Sequence, residues 1–282
     1  MKDFKDRIVV VTAAGSGIGR ASALAYGAAG ARVHLVDISA DRLEAVGGEL
    51  TAAGAQLGGL HTLDCTDAEA MEALAREIIK QEGRVDLLQL GVGIIVAGAF
   101  EETSLEQWRR VMDTNLWSAI HGLRAFLPRM LERCGAVKGA DAHLVIVASL
   151  AGLVAFPYTS AYTATKFALV GLAETLSLEL AGRGISVTAV CPGAVSTNLM
   201  RDGDMSLPGG SESGIRSAVE RFAAKPERVA REILRGVRRR KTLILPSAEA
   251  MPLWLIKRAS GGLFDTAARS VTSKLRGLTS RR

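Results

Sequence analysis

Residues 7–19 read RIVVVTAAGSGIG, in which an apolar run meets a glycine-rich turn and the first residues of a segment with helical periodicity. Glycine lets the backbone turn tightly and approach a pyrophosphate, and the amides at the start of the following helix favour negative charge. A glycine cluster alone is weak evidence, because an ordinary strand-to-helix turn has a similar composition. Its place after the first predicted strand favours a dinucleotide-binding β–α unit.

Outward from this turn, short apolar runs alternate with segments of helical periodicity. We predict strands at residues 7–12, 32–36, 59–63, 85–90, 143–149, 185–191 and 242–245. Capping-box patterns at residues 66–69 and 104–107 predict two helix starts. This alternation is typical of an α/β fold, a single-domain Rossmann-like doubly wound parallel sheet of about seven strands. We expect a catalytic domain at residues 1–250 and a basic amphipathic extension at residues 251–282.

Composition excludes several other classes of protein. With 48% hydrophobic and 23% charged residues, the 282-residue chain is neither disordered nor a disulfide scaffold. No apolar run reaches the length of a membrane span, and no signal-peptide pattern is present, so we expect a cytoplasmic protein. Cys65, Cys134 and Cys191 are predicted to be free thiols, with no metal site. Residues 236–282 hold eleven Lys or Arg against two acidic residues, so the basic charge belongs to the tail and does not indicate nucleic-acid binding.

Asp37 bears on the choice of cofactor. It ends the second predicted strand about twenty residues after the turn, where a carboxylate accepts hydrogen bonds from the cofactor's ribose hydroxyls. The alternative is a loop residue near the cap of the next helix. Because a carboxylate repels a 2′-phosphate, and Ser16 and Ile38 supply no cation, the sequence predicts NAD over NADP.

A second group of residues indicates catalysis. Ser149 ends the fifth predicted strand, and Tyr162 and Lys166 lie four residues apart on one face of a helix. A nearby ammonium lowers the pKa of a phenol, which then exchanges a proton with an alcohol or ketone. Asn115 is an amide in a long helical segment, where that residue type is not favoured. Each residue alone is more often structural, but their order downstream of a dinucleotide turn favours catalysis.

On these motifs, residues 5–250 resemble the short-chain dehydrogenase/reductase family. The resemblance implies that Tyr162 is the general acid/base, that Ser149 orients the substrate oxygen, that Lys166 binds the nicotinamide ribose and that Asn115 holds a water in a proton relay. It places Asp64 beside the adenine and Thr197 on the carboxamide. The cofactor contacts that we expect are Thr12, Ala14, Gly15, Ser16, Gly17, Ile18, Gly19, Asp37, Ile38, Asp64, Cys65, Gly91, Val92, Gly93, Tyr162, Lys166, Pro192, Gly193, Val195 and Thr197.

The chain departs from the family pattern at two places. Ala13 stands where the family usually has glycine in the turn. Residues 90–93 read Leu-Gly-Val-Gly in place of the family's Asn-Asn-Ala-Gly, so only the last glycine is kept. We therefore expect the side-chain amide bonds that support strand and cofactor at this point to be missing.

The expected substrate pocket is apolar, with no Lys or Arg placed to bind a carboxylate or phosphate. Its predicted lining is Ser149, Ala151, Phe156, Tyr162, Ala194 and Leu199, and residues 198–226 are predicted to form a lid or binding loop. Such a pocket suits a lipophilic alcohol or ketone, for example a steroid, a retinoid or another lipid. The alternative is that these side chains mostly fill the core.

Three interpretations of the basic tail stay open: a solvated or disordered end, a peripheral membrane contact, or packing over the lid or a neighbouring subunit. By resemblance we expect a homo-oligomer, a dimer or tetramer, formed through helices at residues 104–133 and 161–181. Two other functions also stay open. One is an NADPH-dependent carbonyl or 3-oxoacyl reductase, and the other is a catalytically quiet regulator that binds NAD(H).

Overall fold

A parallel sheet of seven strands forms the centre of the computed structural model, which describes residues 1, 3–197, 199, 203–206, 223–262, 264–266 and 268–270. The strands of this sheet are β1 (Ile8–Thr12), β2 (Arg32–Asp37), β3 (Gln56–Thr62), β4 (Leu87–Leu90), β6 (Ala142–Val147), β7 (Ile185–Val190) and β9 (Leu243–Ile244). Two three-residue strands, β5 (Val96–Gly98) and β8 (Asp204–Ser206), pair in parallel as a separate ribbon.

The order of the strands in the sheet is β3-β2-β1-β4-β6-β7-β9. Successive strands step outward from β1 to β3, and the chain then returns to place β4 on the other side of β1. This reversal leaves a crevice at the carboxyl ends of β1 and β4, the place where open α/β sheets bind ligands.

Helices cover both faces of the sheet. They are α1 (Gly17–Ala28), α2 (Ala40–Ala52), α3 (Ala68–Glu82), α4 (Leu105–Met112), α5 (Ser118–Ala136), α6 (Ser160–Glu179), α7 (Pro226–Arg238) and α8 (Ala250–Ala259). Buried side chains of α1, α2 and α7 form one apolar core, and those of α3, α5 and α6 form the other. The strands carry apolar residues on both faces because both faces are covered.

All seven predicted strands are found in the sheet, within a few residues of the predicted bounds. The N-cap of α3 differs from the prediction, because it is Asp67 and not Thr66. The Asp67 side chain accepts hydrogen bonds from the amides of Glu69 and Ala70. The capping box at Ser104 is confirmed. The long helix predicted at residues 104–133 is instead α4 and α5, joined by a π-helical turn at Asp113–Trp117. The ribbon was not predicted.

The amino-terminal edge of the sheet holds a network of ion pairs around Asp86. This carboxylate is fully buried and accepts a hydrogen bond from the Ile8 amide at 2.9 Å. Arg7, Arg84 and Arg133 lie 3.1, 3.0 and 2.9 Å from its oxygens. The buried charge is therefore matched by cations and hydrogen bonds, as burial requires.

The cysteines and the helices agree with two of the composition-based expectations. Cys65, Cys134 and Cys191 are free thiols. Within the described part of the chain, no helix is both long and apolar enough to cross a bilayer.

Candidate active site

A cleft of about 1580 Å³ opens at the carboxyl edge of the sheet, over β1, β4 and β6. It is larger than the roughly 300–1,000 Å³ of a typical small-ligand pocket, so it has room for a dinucleotide and a second molecule. Most of the predicted site residues line it: Ser16, Ile18, Gly19, Asp37, Ile38, Asp64, Cys65, Gly91, Val92, Gly93, Ser149, Ala151, Phe156, Tyr162, Lys166, Pro192, Gly193, Ala194, Val195, Thr197 and Leu199.

Five predicted residues lie outside this lining. Thr12 and Ala14 are buried, and the Ala14 amide donates to the carbonyl of Val36 at 3.0 Å. Gly15, Gly17 and Asn115 also lie outside it, and they contact residues that do line the cleft. The predicted lid at residues 198–226 falls largely outside the described residues; of the part that is described, Leu199 packs against Ile95, Ala151 and Tyr162.

The glycine turn brings α1 close to the strand that precedes it. A Cβ atom at Gly19 would lie 1.9 Å from the Ala13 carbonyl oxygen, so no larger residue fits there. Gly17 has a φ of +52° and lies against the methyl group of Thr197. Ser16 is the N-cap of α1 but its side chain accepts no hydrogen bond from the helix. The first amides of α1 therefore have no side-chain cap at the cleft wall, which suits an anion such as a diphosphate.

Ala13 adopts the left-handed conformation for which the family glycine is suited. Its φ is +52°, a region that costs an L-residue about 1–2 kcal/mol. The turn thus keeps the backbone path expected of the glycine while carrying a methyl group. This departure is strain within the turn and not a change of its shape.

Asp37 holds the turn and the start of α2 together. Its carboxylate accepts hydrogen bonds from the amides of Gly15 at 3.0 Å and Ser39 at 3.1 Å. The Arg42 guanidinium lies 3.9 Å from the same carboxylate and also lines the cleft. The expectation that no cation is present at this corner is therefore wrong, because the first turn of α2 folds back over the end of β2.

The second departure from the family pattern is compensated by packing. Leu90 is buried, and a Cβ atom at Gly122 on α5 would lie 2.5 Å from its side chain, so the leucine fills the space that this glycine leaves. The Gly91 amide donates to the Thr12 hydroxyl at 3.0 Å, and that hydroxyl lies 3.3 Å from the Gln89 carbonyl. Strands β1 and β4 are therefore linked through Thr12 without the family's amides.

Ser149, Tyr162 and Lys166 meet at the middle of the cleft. Ser149 caps the short helical turn Leu150–Gly152, and its hydroxyl accepts from the Ala151 amide at 3.1 Å. The Lys166 ammonium lies 5.5 Å from the centre of the Tyr162 ring and 3.4 Å from the Val147 carbonyl. The two side chains share a face of α6, as the i, i+4 spacing predicts.

Burial controls the protonation of this group. It raises the pKa of the Tyr162 phenol, and the hydrogen bond with Ser149 opposes that shift only in part. Burial also lowers the pKa of the Lys166 ammonium to about 8. The net effect on the phenol is a raised pKa, in contrast to the lowered pKa that the neighbouring lysine predicts.

Asn115 supports the cleft wall from behind. It lies in the π-helical turn between α4 and α5, a rare geometry that is often found at functional sites. Its amide oxygen accepts from the Ile94 amide at 2.7 Å, and its nitrogen donates to the Ile94 carbonyl at 3.0 Å and to the Thr165 hydroxyl at 3.1 Å. The Thr165 hydroxyl in turn donates to the Tyr162 carbonyl at 2.7 Å. Asn115 thus ties the strand end to the helix that carries Tyr162.

The lining also contains residues that sequence reasoning missed. These are Arg42, Leu63, Thr66, Glu106, Arg109, Arg110, Asp113, Thr114, Thr159, Glu249 and Leu253. Arg109 and Arg110 correct the expectation of a pocket without cations, although Arg110 is paired with Asp204 of β8. A local signal existed only for Arg42, which follows the predicted helix cap at Ser39. The others are brought to the cleft by the fold.

Comparison with known proteins gives a consistent assignment. The profile of the family described as short chain dehydrogenase matches residues 7–205. A short chain dehydrogenase/reductase from Burkholderia phymatum, solved in complex with NAD, superposes with a TM-score of 0.84 at 27% identity, over 93% of this chain and 96% of that one.

Two curated relatives are also similar. The "Probable oxidoreductase EphD" of Mycobacterium tuberculosis is 34% identical over 273 residues, which are 94% of this chain and 45% of that protein, so the chain spans less than half the length of this relative. The "1-deoxy-11-beta-hydroxypentalenate dehydrogenase" of Streptomyces exfoliatus is 38% identical over 200 residues, 70% of each chain.

Proposed function

Because this chain belongs to the short-chain dehydrogenase family, whose members are oxidoreductases acting on CH–OH groups, we propose that it uses NAD to interconvert a lipophilic secondary alcohol and its ketone. The observation that carries the proposal is that Ser149, Tyr162 and Lys166 line the same cleft as the uncapped start of α1. The reactive group and the anion-binding turn therefore face one common space.

The residues present fit a dinucleotide. The amides of the glycine turn would hold the diphosphate, Asp37 the adenosine ribose, Lys166 the nicotinamide ribose and Thr197 the carboxamide. The close approach of Gly17 to Thr197 brings the diphosphate and carboxamide segments together without a side chain between them. The nicotinamide, when bound, accepts or supplies the hydride.

Tyr162 would exchange a proton between its phenol oxygen and the substrate oxygen. Ser149 would donate a hydrogen bond to that oxygen and stabilise the charge that develops on it. Lys166 keeps its ammonium charge below pH 8, so at neutral pH a cation lies near the phenolate that forms. Asn115 would act by holding Ile94 and the start of α6 in place.

The apolar end of the cleft supports a lipophilic substrate. Ile94, Ile95, Ala151, Phe156, Leu199 and Leu253 line it. Apolar walls around one polar corner bind bulky apolar molecules and orient a single oxygen. We also expect a homo-oligomer, since α4, the π-helical turn that follows it and α6 carry exposed apolar side chains, among them Leu105, Trp117 and Leu178.

The test of the acid/base role is Tyr162→Phe. We expect kcat/KM with lipophilic secondary alcohols and NAD to fall by about 10²–10⁴-fold, because the proton donor is lost. The dissociation constant for NADH, followed by nicotinamide fluorescence, should stay within about twofold, because Tyr162 is one of many expected cofactor contacts and the turn amides, Asp37 and Lys166 are unchanged. Tyr158→Phe is the matched control, since Tyr158 lies four residues earlier and outside the cleft lining. Full turnover in the Tyr162→Phe variant would remove this residue from the role.

The choice of NAD over NADP is tested at Asp37 and Arg42. Asp37→Asn keeps an acceptor for the Gly15 amide but removes the charge that repels a 2′-phosphate, and it leaves Arg42 free to bind one. We expect NADH affinity to fall and NADPH affinity to rise, so that the ratio of the two changes about tenfold or more. Adding Arg42→Leu should cancel the NADPH gain and leave the NADH loss. An unchanged ratio in Asp37→Asn would overturn the assignment.

The catalytically quiet regulator remains the alternative. It predicts NADH binding without turnover of any alcohol or ketone, and identical behaviour of the wild type and the Tyr162→Phe variant. Turnover by the wild type and the Tyr162→Phe variant therefore separates the two functions.

A further inference from the structure

Helix α8 is fixed to the body of the protein by its inner face. Ala250 is buried, and Leu253 and Trp254 pack against the apolar core that α3, α5 and α6 form. The Lys257 ammonium donates to the Leu153 carbonyl at 2.7 Å and lies 4.6 Å from the centre of the Phe167 ring. This lysine, although charged, therefore anchors the helix next to the turn that carries the catalytic serine.

The outer face of α8 is apolar and exposed. Met251, Leu255 and Ile256 are 46%, 51% and 45% exposed, and Pro252 and Ala259 beside them are exposed as well. At 100° per residue these five side chains cover one half of the helix, opposite the anchored face. A continuous apolar strip on a surface helix marks an interaction site.

The segment that carries this outer face is basic. Arg258 lies at the edge of the face, 5.1 Å from the centre of the Trp254 ring. In the sequence, residues 250–282 contain seven Lys or Arg and a single acidic residue, Asp265. Apolar side chains next to Trp and basic residues are the composition of helices that lie in the surface of an anionic bilayer.

Helix α8 also borders the cleft. Glu249 and Leu253, at the start of the same helix, line the cleft wall together with Phe156. Phe156 is itself 40% exposed. A surface that contacts the outer face of α8 therefore lies beside the apolar end of the cleft.

We propose that the outer face of α8, formed by Met251, Pro252, Leu255, Ile256 and Ala259, docks on the surface of an anionic lipid bilayer. The docking turns the apolar end of the cleft toward the lipid, from which a lipophilic substrate enters. Only this route of entry rests on the proposed function, and the docking does not.

Charge favours a bilayer over a second copy of the chain. A two-fold contact through this face would bring the Arg258 side chains of both copies together, and like charges in contact oppose association. An anionic lipid surface instead attracts them, by about 1 kcal/mol for each basic residue near the surface.

The test is co-sedimentation of the full chain with vesicles of phosphatidylcholine, with or without phosphatidylglycerol. We expect binding to vesicles that contain phosphatidylglycerol, weakened by added salt because the attraction is partly electrostatic. The affinity of the double variant Leu255→Gln/Ile256→Gln for these vesicles should fall by about tenfold or more, because two half-exposed apolar side chains no longer enter the lipid. Val137→Gln is the matched control, since Val137 is 52% exposed at the opposite edge of the sheet.

A second measurement separates this inference from the proposed function. The double variant should lose kcat/KM for a long-chain secondary alcohol presented in vesicles and keep it for a short soluble one. Vesicle binding without turnover of any alcohol would overturn the proposed function and leave the docking standing. Equal vesicle binding by wild type and double variant would overturn the docking. A change of oligomeric state in the double variant, seen by light scattering, with no vesicle binding by the wild type, would assign the face to a subunit contact instead.

Discussion

The two edges of the central sheet treat buried charge in opposite ways. At the amino-terminal edge, Asp86 is fully buried and is met by three arginines and a backbone amide. At the carboxyl-terminal edge, Lys166 is 4% exposed, and among the described residues its ammonium has the Val147 carbonyl at 3.4 Å as hydrogen-bond acceptor and no carboxylate in an ion pair. The buried charge has counter-charges at the amino-terminal edge, and at the carboxyl-terminal edge none is found among the described residues.

The difference shows which edge is built for stability and which for chemistry. A buried charge with its full set of partners holds strands and helices in register. A buried ammonium without a counter-charge costs free energy, and a fold that keeps one gains something else from it. Here that gain is a cation at the tyrosine that we propose as the acid/base.

The largest effect that tests this comparison is expected at Lys166. Folding lowers the pKa of its ammonium from 10.5 to about 8, so below pH 8 both the folded and unfolded chains hold the proton and the cost of burial is paid in full. Between pH 8 and 10.5 only the unfolded chain holds the Lys166 proton, so the free energy of unfolding rises with pH in this range. Lys166→Met should therefore unfold in urea with a free energy on the order of 3 kcal/mol higher than the wild type at pH 7, and the difference should close by pH 10.5.

The control for Lys166→Met is Asp86→Asn at the other edge. Removing that carboxylate's charge takes one ion-pair partner from each of Arg7, Arg84 and Arg133, so stability should fall by about 3 kcal/mol at pH 7, opposite in sign to the effect of Lys166→Met. Cysteines and tyrosines distant from Lys166, such as Cys134 and Tyr26, titrate alike in wild type and Lys166→Met and cancel in that difference, whereas Cys191 is coupled to Lys166 and adds to it. Destabilisation by Lys166→Met at pH 7 would mean that the lysine is structural, and the contrast between the edges would fail.

The sequence predicts the half of the cleft around the glycine turn better than the apolar half. The glycine turn, Asp37 and the seven strands are signalled by local patterns, since a strand, its turn and the next helix start lie within about twenty residues. The spacing of Tyr162 and Lys166 is likewise a property of one helix.

The apolar half depends on contacts between distant segments, which have no local period. From the sequence, Leu90 indicates only that the family's side-chain amide is missing. The structure shows that Gly122 on α5 leaves the space that the leucine side chain fills. The ribbon of β5 and β8 consists of three-residue strands, too short to show alternation. Leu253 reaches the cleft only because α8 folds back, and Arg109 only because α4 lies over the crevice.

The smallest expected effect lies in the turn that opens the cleft, at Ala13 and Ala14. Ala13 has a φ of +52° and Ala14, its neighbour, is fully buried without a positive φ. Ala13→Gly relieves the left-handed strain but adds freedom to the unfolded chain, so the net gain in stability should be about 0.5 kcal/mol. Ala14→Gly adds the same freedom and removes a buried methyl group, so it should cost about 1 kcal/mol.

The sign of these two changes decides what the turn is for. If urea unfolding shows a gain at residue 13 and a loss at residue 14, the strain is local to one backbone angle, and the NADH dissociation constant of Ala13→Gly should stay close to that of the wild type. If both glycine substitutions destabilise the protein, packing of the Ala13 methyl group outweighs its backbone strain, and the turn contributes to stability. In that case the carboxyl-terminal edge holds both a stabilising element, the glycine turn, and the buried charge of Lys166, unpaired within the described part of the chain.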